Sequence, residues 1–163
     1  MSANTERISG GSQQLQLVTF MIDSEEFGVD ILNVQEINKV SAITQIPGSP
    51  EFVEGIINLR GKVVPVIDLR KRFGMSAREH DERTRIIVAE MNAQTMGFIV
   101  DAVNEVLRIS ADSFQPPPDI VVGAHSEFFK SVANLDDKLL VLINLEKLLT
   151  RDQAESISSL AAA

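Results

Sequence analysis

The reading of this chain turns on residues 55–74, GIINLRGKVVPVIDLRKRFG. Two apolar runs, VEGIINL and KVVPVIDL, flank the dipeptide Arg60-Gly61. Glycine in the second place of a two-residue loop suits the positive φ of a tight hairpin turn, so the runs are expected to pair as antiparallel strands. LRKRF then predicts a short helix, stopped by Gly74. The same stretch concentrates positive charge. Arg60, Lys62, Arg70, Lys71 and Arg72 stand against one acid, Asp68, in a chain whose net charge is −8.

Outward from the hairpin the pattern is β throughout. In LQLVTFMI (15–22) the residues Val18, Phe20 and Ile22 share one face by period two, and Phe27, Val29 and Ile31 alternate in EFGVDI. Pro47, Gly48 and Pro50 force an irregular connection before the hairpin. After a charged connector at 75–83, TRIIVAEM, QTMGFIVDAV and NEVLRIS read as strands, as do EFFKSVANL and KLLVLINL. Between them QPPPD must be extended loop, because consecutive prolines support neither a ladder nor a helix interior. LEKLLT predicts a helical turn. Residues 1–13 are polar and read as a loose tail; residues 151–163 read as a tail or a frayed helix.

The chain also repeats itself. At an offset of 69 residues Gly28, Val34 and Glu36 meet Gly97, Val103 and Glu105. At an offset of 76, Phe52, Asn58, Leu59, Lys62, Ile67, Leu69 and Lys71 meet identical residues from Phe128 to Lys147. A duplicated apolar pattern implies a duplicated core, so two barrel-like halves are expected, about 14–74 and 84–150, with chain segments free to cross between them. The copies diverge in charge: Arg60-Gly61 becomes Asp136-Asp137, and Arg70 becomes Glu146. Those divergent charges are expected at the surface, where they can meet different partners.

Little supports catalysis. The chain has no cysteine, which removes disulfides, thiolate metal sites and a thiol nucleophile together. His80 and His125 are scattered without a neighbouring ligand set in the sequence, and no glycine pattern suits a nucleotide phosphate. No catalytic residue, metal or cofactor is assigned. No apolar run approaches the ~18 residues of a membrane span, and the N-terminus lacks the form of a signal peptide; a cytosolic protein is expected. RNA binding by a small basic barrel is a second reading, weakened by the acidic balance and by the absence of Trp and Tyr for base stacking.

The motifs FGVDILNVQEI, VEGIINLRGKVVPVIDLRKRFG, GFIVDAV and LLVLINLEKLL, in that order from about Leu15 to Thr150, resemble the CheW family of chemotaxis coupling proteins. The resemblance implies an all-β fold of two pseudo-symmetric five-stranded SH3-like β-barrels with short helices. It also implies a non-enzymatic, cytoplasmic adaptor, monomeric when free, that is recruited to membrane-associated receptor arrays. There it would join the cytoplasmic tip of chemoreceptors to the regulatory domain of the histidine kinase CheA. Carried over by motif, the receptor-binding candidates are Val18, Ile31, Val34, Glu36, Ile37, Asn58, Arg60 and Val106, although Val18 and Ile31 equally suit a plain core role. Phe114, Gln115 and Ile120, in and beside the proline loop, are the candidates for the kinase ring interface. A coupling protein of a non-flagellar chemosensory pathway fits the same residues.

Overall fold

The computed structural model describes residues 13–91, 93–117, 128–136 and 138–162. Eleven strands are found there: β1 (Gln14–Ile22), β2 (Glu25–Asp30), β3 (Val34–Lys39), β4 (Val53–Leu59), β5 (Lys62–Asp68), β6 (Arg85–Met91), β7 (Gln94–Val100), β8 (Ala102–Ser110), β9 (Phe114–Gln115), β10 (Phe129–Leu135) and β11 (Lys138–Ile143). A four-residue helix, α1 (Leu69–Arg72), follows β5, and a longer one, α2 (Arg151–Ala162), ends the chain.

The strands form two sheets, ordered β8-β1-β2-β11-β10-β9 and β3-β6-β7-β5-β4. Each sheet therefore mixes strands from both sequence copies: β1 and β2 join the later strands, while β6 and β7 join the earlier ones. Equivalent residues hold equivalent places. The parallel pair Val66↔Gly97 in one sheet is matched by Leu142↔Gly28 in the other. Ile37↔Ile87 is matched by Val106↔Val18. The two glycines answer one packing constraint: an added Cβ would come within 2.8 Å of Ile86 at Gly97, and within 3.3 Å of Leu17 at Gly28. A side chain would force Ile86 to shift at Gly97 and crowd Leu17 at Gly28.

Closure is also duplicated. Thr44, beyond β3, exchanges two backbone hydrogen bonds with Ile56 of β4, each 2.9 Å. Its counterpart is Gln115 of β9, beyond β8, paired with Val132 of β10. The first sheet thus holds six strands rather than five, because the closing segment on this side has enough ladder to count as a strand.

Burial falls into three clusters. Ile57, Val64, Val66, Ile86, Val88 and Ile99 fill one barrel, and Leu17, Ile109, Ala133, Leu140 and Leu142 fill the other. A larger shared cluster lies between them, with Phe20, Phe27, Phe73 and Phe128 among its members. Phe73, just past α1, packs 5.6 Å from Phe27, 5.9 Å from Phe128 and 5.7 Å from Phe129, ring centre to ring centre. Such contacts join the barrels through a large buried apolar area rather than a flexible linker. α2 is docked rather than frayed, with Ile157 fully buried in the same cluster.

Candidate docking surface at β3 and the hairpin tip

The three basic residues that end the opening stretch are engaged by the protein itself, Arg70 buried and Lys71 and Arg72 half-buried. Arg70, expected at the surface, is buried. Its guanidinium donates to Asp101 (2.8 and 2.9 Å), to the Ser76 carbonyl (3.0 Å) and to Asp23. Burial is tolerated because the cation is surrounded by acceptors, with two carboxylates meeting it. Asp101 is itself pushed upward by burial, yet hydrogen bonds from Arg70 and from the Asp23 backbone N–H hold its carboxyl below the usual range. Arg72 lies over two equivalent rings, 4.7 Å from Phe52 and 4.5 Å from Phe128, and donates to the Leu148 carbonyl. Lys71 pairs with Glu54 at 2.6 Å. The helix after the hairpin therefore fastens the two barrels together, and its charges do not form an outward patch.

At the other end of the hairpin the arrangement is different. Arg60 and Gly61 both have positive φ, 54° and 85°, the geometry of a primed two-residue turn. Asn58 closes the turn, its Oδ1 accepting from the Gly61 N–H at 2.7 Å. An arginine in the left-handed region is uncommon, and the equivalent Asp136 has the same sign of φ, 47°. The Arg60 side chain is 72% exposed and forks onto both carboxylate oxygens of Glu36 on β3. Asn38 donates to the same carboxylate at 3.1 Å. The Arg60 and Asn38 hydrogen bonds hold the Glu36 carboxyl below its ordinary pKa, so it stays ionised.

Glu36, Asn58 and Arg60 are thus brought together across more than twenty residues of chain. Val34 and Ile31 are half-buried and pack onto the edge of the shared core. Ile37, 39% exposed, and Val106, 50% exposed, occupy equivalent positions on the two barrels, each exposed beside a cross-strand partner that is buried in the shared core. Val18 is that buried partner on the second barrel. At 2% exposure it has no surface to offer, because its face of β1 closes the shared core. Sequence reasoning passed over Leu32, 88% exposed in the 3-10 turn Ile31–Asn33 between β2 and β3. Its place in ILNV does not follow the strand alternation, and only the turn reveals its exposure. Of the kinase-side candidates, Phe114 turns inward onto its own barrel core, Gln115 is exposed on β9, and Ile120 lies outside the described residues.

A cavity of about 350 Å³ lies elsewhere, lined by Asp30, Glu90, Lys130 and Glu146 with Leu15 and Met91 among its apolar walls. Its polar lining mixes both signs of charge and assembles no nucleophile with a base beside it.

A double barrel whose most distinctive surface is a hairpin-borne arginine fork beside outward apolar residues belongs to the class of docking modules. Residues 16–153 match the family model described as CheW-like domain. The chain is 33% identical over 159 residues to the chemotaxis protein CheW of Klebsiella aerogenes, covering 98% of this chain and 96% of that protein. It is 34% identical to the chemotaxis protein CheW of Helicobacter pylori, covering 88% and 90%. The crystal structure of the scaffolding protein TtCheW from Thermoanaerobacter tengcongensis superimposes with a TM-score of 0.80 at 44% identity, covering 86% and 96%. This chain is a member of the CheW-like domain family.

Proposed function

We propose that the protein is a non-enzymatic adaptor coupling chemoreceptors to the histidine kinase CheA in a bacterial chemosensory array. The observation that carries this reading is the meeting of two separate motif segments, NVQEI and NLRG, in the Arg60–Glu36 fork, with Ile37 exposed beside it. An apolar strip with a charged, geometrically fixed rim suits a helical receptor tip laid along it, a helix-in-groove contact. Ile31, Val34 and Ile37 supply the apolar strip, with Val106 on the second barrel; Glu36, Asn58 and Arg60 supply the rim. A guanidinium already held by its own hairpin loses little freedom on docking.

The kinase's regulatory domain is assigned to the β9 end of the second barrel. There Gln115 is exposed and Phe114 anchors the strand from within. The free protein is monomeric in this reading and resides in the cytoplasm until arrays recruit it. Among the described residues no helix is long and apolar enough to cross a membrane. The RNA reading loses its main support, since Arg70, Lys71 and Arg72 are engaged by Asp101, Glu54 and the two phenylalanines.

Co-sedimentation with a receptor signalling fragment and the kinase tests the proposal. Arg60→Glu is expected to fold normally and to lower the fraction of protein recovered with receptor and kinase about tenfold, the loss of one interface ion contact. Recovery equal to that of the unaltered protein would overturn the assignment of the rim.

A further inference from the structure

His80, an isolated histidine in the sequence, has carboxylates for neighbours once the chain is folded. The charged connector brings it to Glu54 of β4 and Asp68 at the end of β5, and one ligating atom from each lies within 4.8 Å of the other two. From this constellation we propose that the root of the β4–β5 hairpin is a binding site for a divalent transition cation of the zinc class, with His80, Glu54 and Asp68 as ligands.

Imidazole with carboxylates is a donor set that suits zinc, whereas calcium and magnesium favour oxygen alone. Glu54 also meets Lys71 at 2.6 Å, so the cation would share that carboxylate with an ammonium. The guanidinium groups of Arg70 and Arg72 are held elsewhere, by Asp101 and by Phe52 and Phe128.

The second copy is an internal control. There Asn144 replaces Asp68 and Lys130 replaces Glu54, at the same places in the fold. Asn144 caps its turn by accepting from the Glu146 N–H at 3.2 Å, just as Asp68 accepts from the Arg70 N–H at 2.9 Å. Both residues also donate their backbone N–H to a phenylalanine carbonyl, Phe52 or Phe128, at 2.8 Å. Capping and folding therefore need only the shape of the side chain. The buried negative charge is additional, and it occurs in the copy that has a histidine beside it. The cation would tie the connector, through His80, to the base of the hairpin whose tip carries Arg60.

The test uses the full chain without an affinity tag, stripped with chelator and titrated with ZnCl2. One zinc per chain is expected, with the melting temperature raised by about 5–10 °C at a hundredfold excess over Kd. His80→Ala lies on the exposed connector and is expected to keep the metal-free melting temperature while losing both signals. Asp68→Asn keeps the cap, as Asn144 does in the second copy, and is expected to lose them too, whereas His125→Ala retains them. No shift at ~100 μM ZnCl2, or saturable binding that survives His80→Ala, would overturn the proposal. Receptor co-sedimentation of His80→Ala reads the Arg60 surface separately, so failure of one proposal does not carry the other with it.

Discussion

Arg60 shows how a single residue can be costly for folding and useful for docking. Its backbone sits where asparagine or glycine is more comfortable, and its side chain reaches across to Glu36. Arg60→Asn is therefore expected to leave the melting temperature unchanged or raise it while weakening receptor-dependent assembly; differential scanning fluorimetry beside co-sedimentation would separate the two effects. Arg70 is the opposite case. Arg70→Met removes the buried cation shared by Asp23 and Asp101, leaving Asp101 only the more exposed Arg78, and is expected to cost about 3 kcal/mol in urea unfolding. The pH dependence follows from Asp101. Its carboxyl is held below the ordinary value of 3.8, so its stabilisation is complete above that value and is lost as pH falls through the lower, folded-state pKa. Asp68 has the reverse sign, being raised, so its penalty grows as pH rises through its ordinary range. Asp68→Asn is expected to be more stable than the parent at pH 7 without metal, an advantage that shrinks toward pH 4 and can be followed by thermal melts at each pH.

Among the elements, the barrel-closing segment near Thr44 places the sharpest demand on sequence. Gly55 has φ 150°, and a Cβ there would collide with the Thr44 carbonyl oxygen that receives the Ile56 N–H. Gly55→Ala is accordingly expected to cost about 3 kcal/mol or more, read as a lowered urea midpoint, because relief requires the closing bridge to open. The bulges repeat as well: one falls between Val34 and Glu36 on β3, and its counterpart faces the break between Thr19 and Phe20 at β8. Each lets the strand bend around its barrel, as bulges do. In the terminal helix Ile157 is fully buried. Ile157→Ala removes a fully buried side chain from the shared core and is expected to destabilise by about 2–4 kcal/mol in the same assay.

For the whole molecule, the relation between repeat and barrel matters most. β1 and β2 of the first copy sit in the sheet of β8, β10 and β11, while β6 and β7 of the second sit with β3, β4 and β5. Fragments 14–74 and 84–150 are each missing central strands of both barrels. Neither is expected to give dispersed amide spectra alone, and mixing them is expected to restore the spectrum, a simple test by NMR. Inter-strand pairing of this kind also makes long-range contacts numerous, consistent with one cooperative unfolding transition rather than two.

The sequence by itself determined the β character, the hairpin at Arg60-Gly61, the duplication and the family motifs. Strand alternation, turn chemistry and repeat spacing are local or periodic properties, so they are legible in one dimension. Glu36, Asn58 and Arg60 could be marked in the same way because each lies inside a motif. Only the tertiary structure decided which charges face water. Arg70 and Arg60 belong to the same basic stretch, yet one is enclosed by Asp23 and Asp101 and the other is open. Likewise Val18 and Val106 are paired neighbours with opposite fates, and His80 acquires its two carboxylates only through folding. Burial depends on what the rest of the chain packs against a residue, and in a fold that trades strands between its copies that neighbour comes from the distant half.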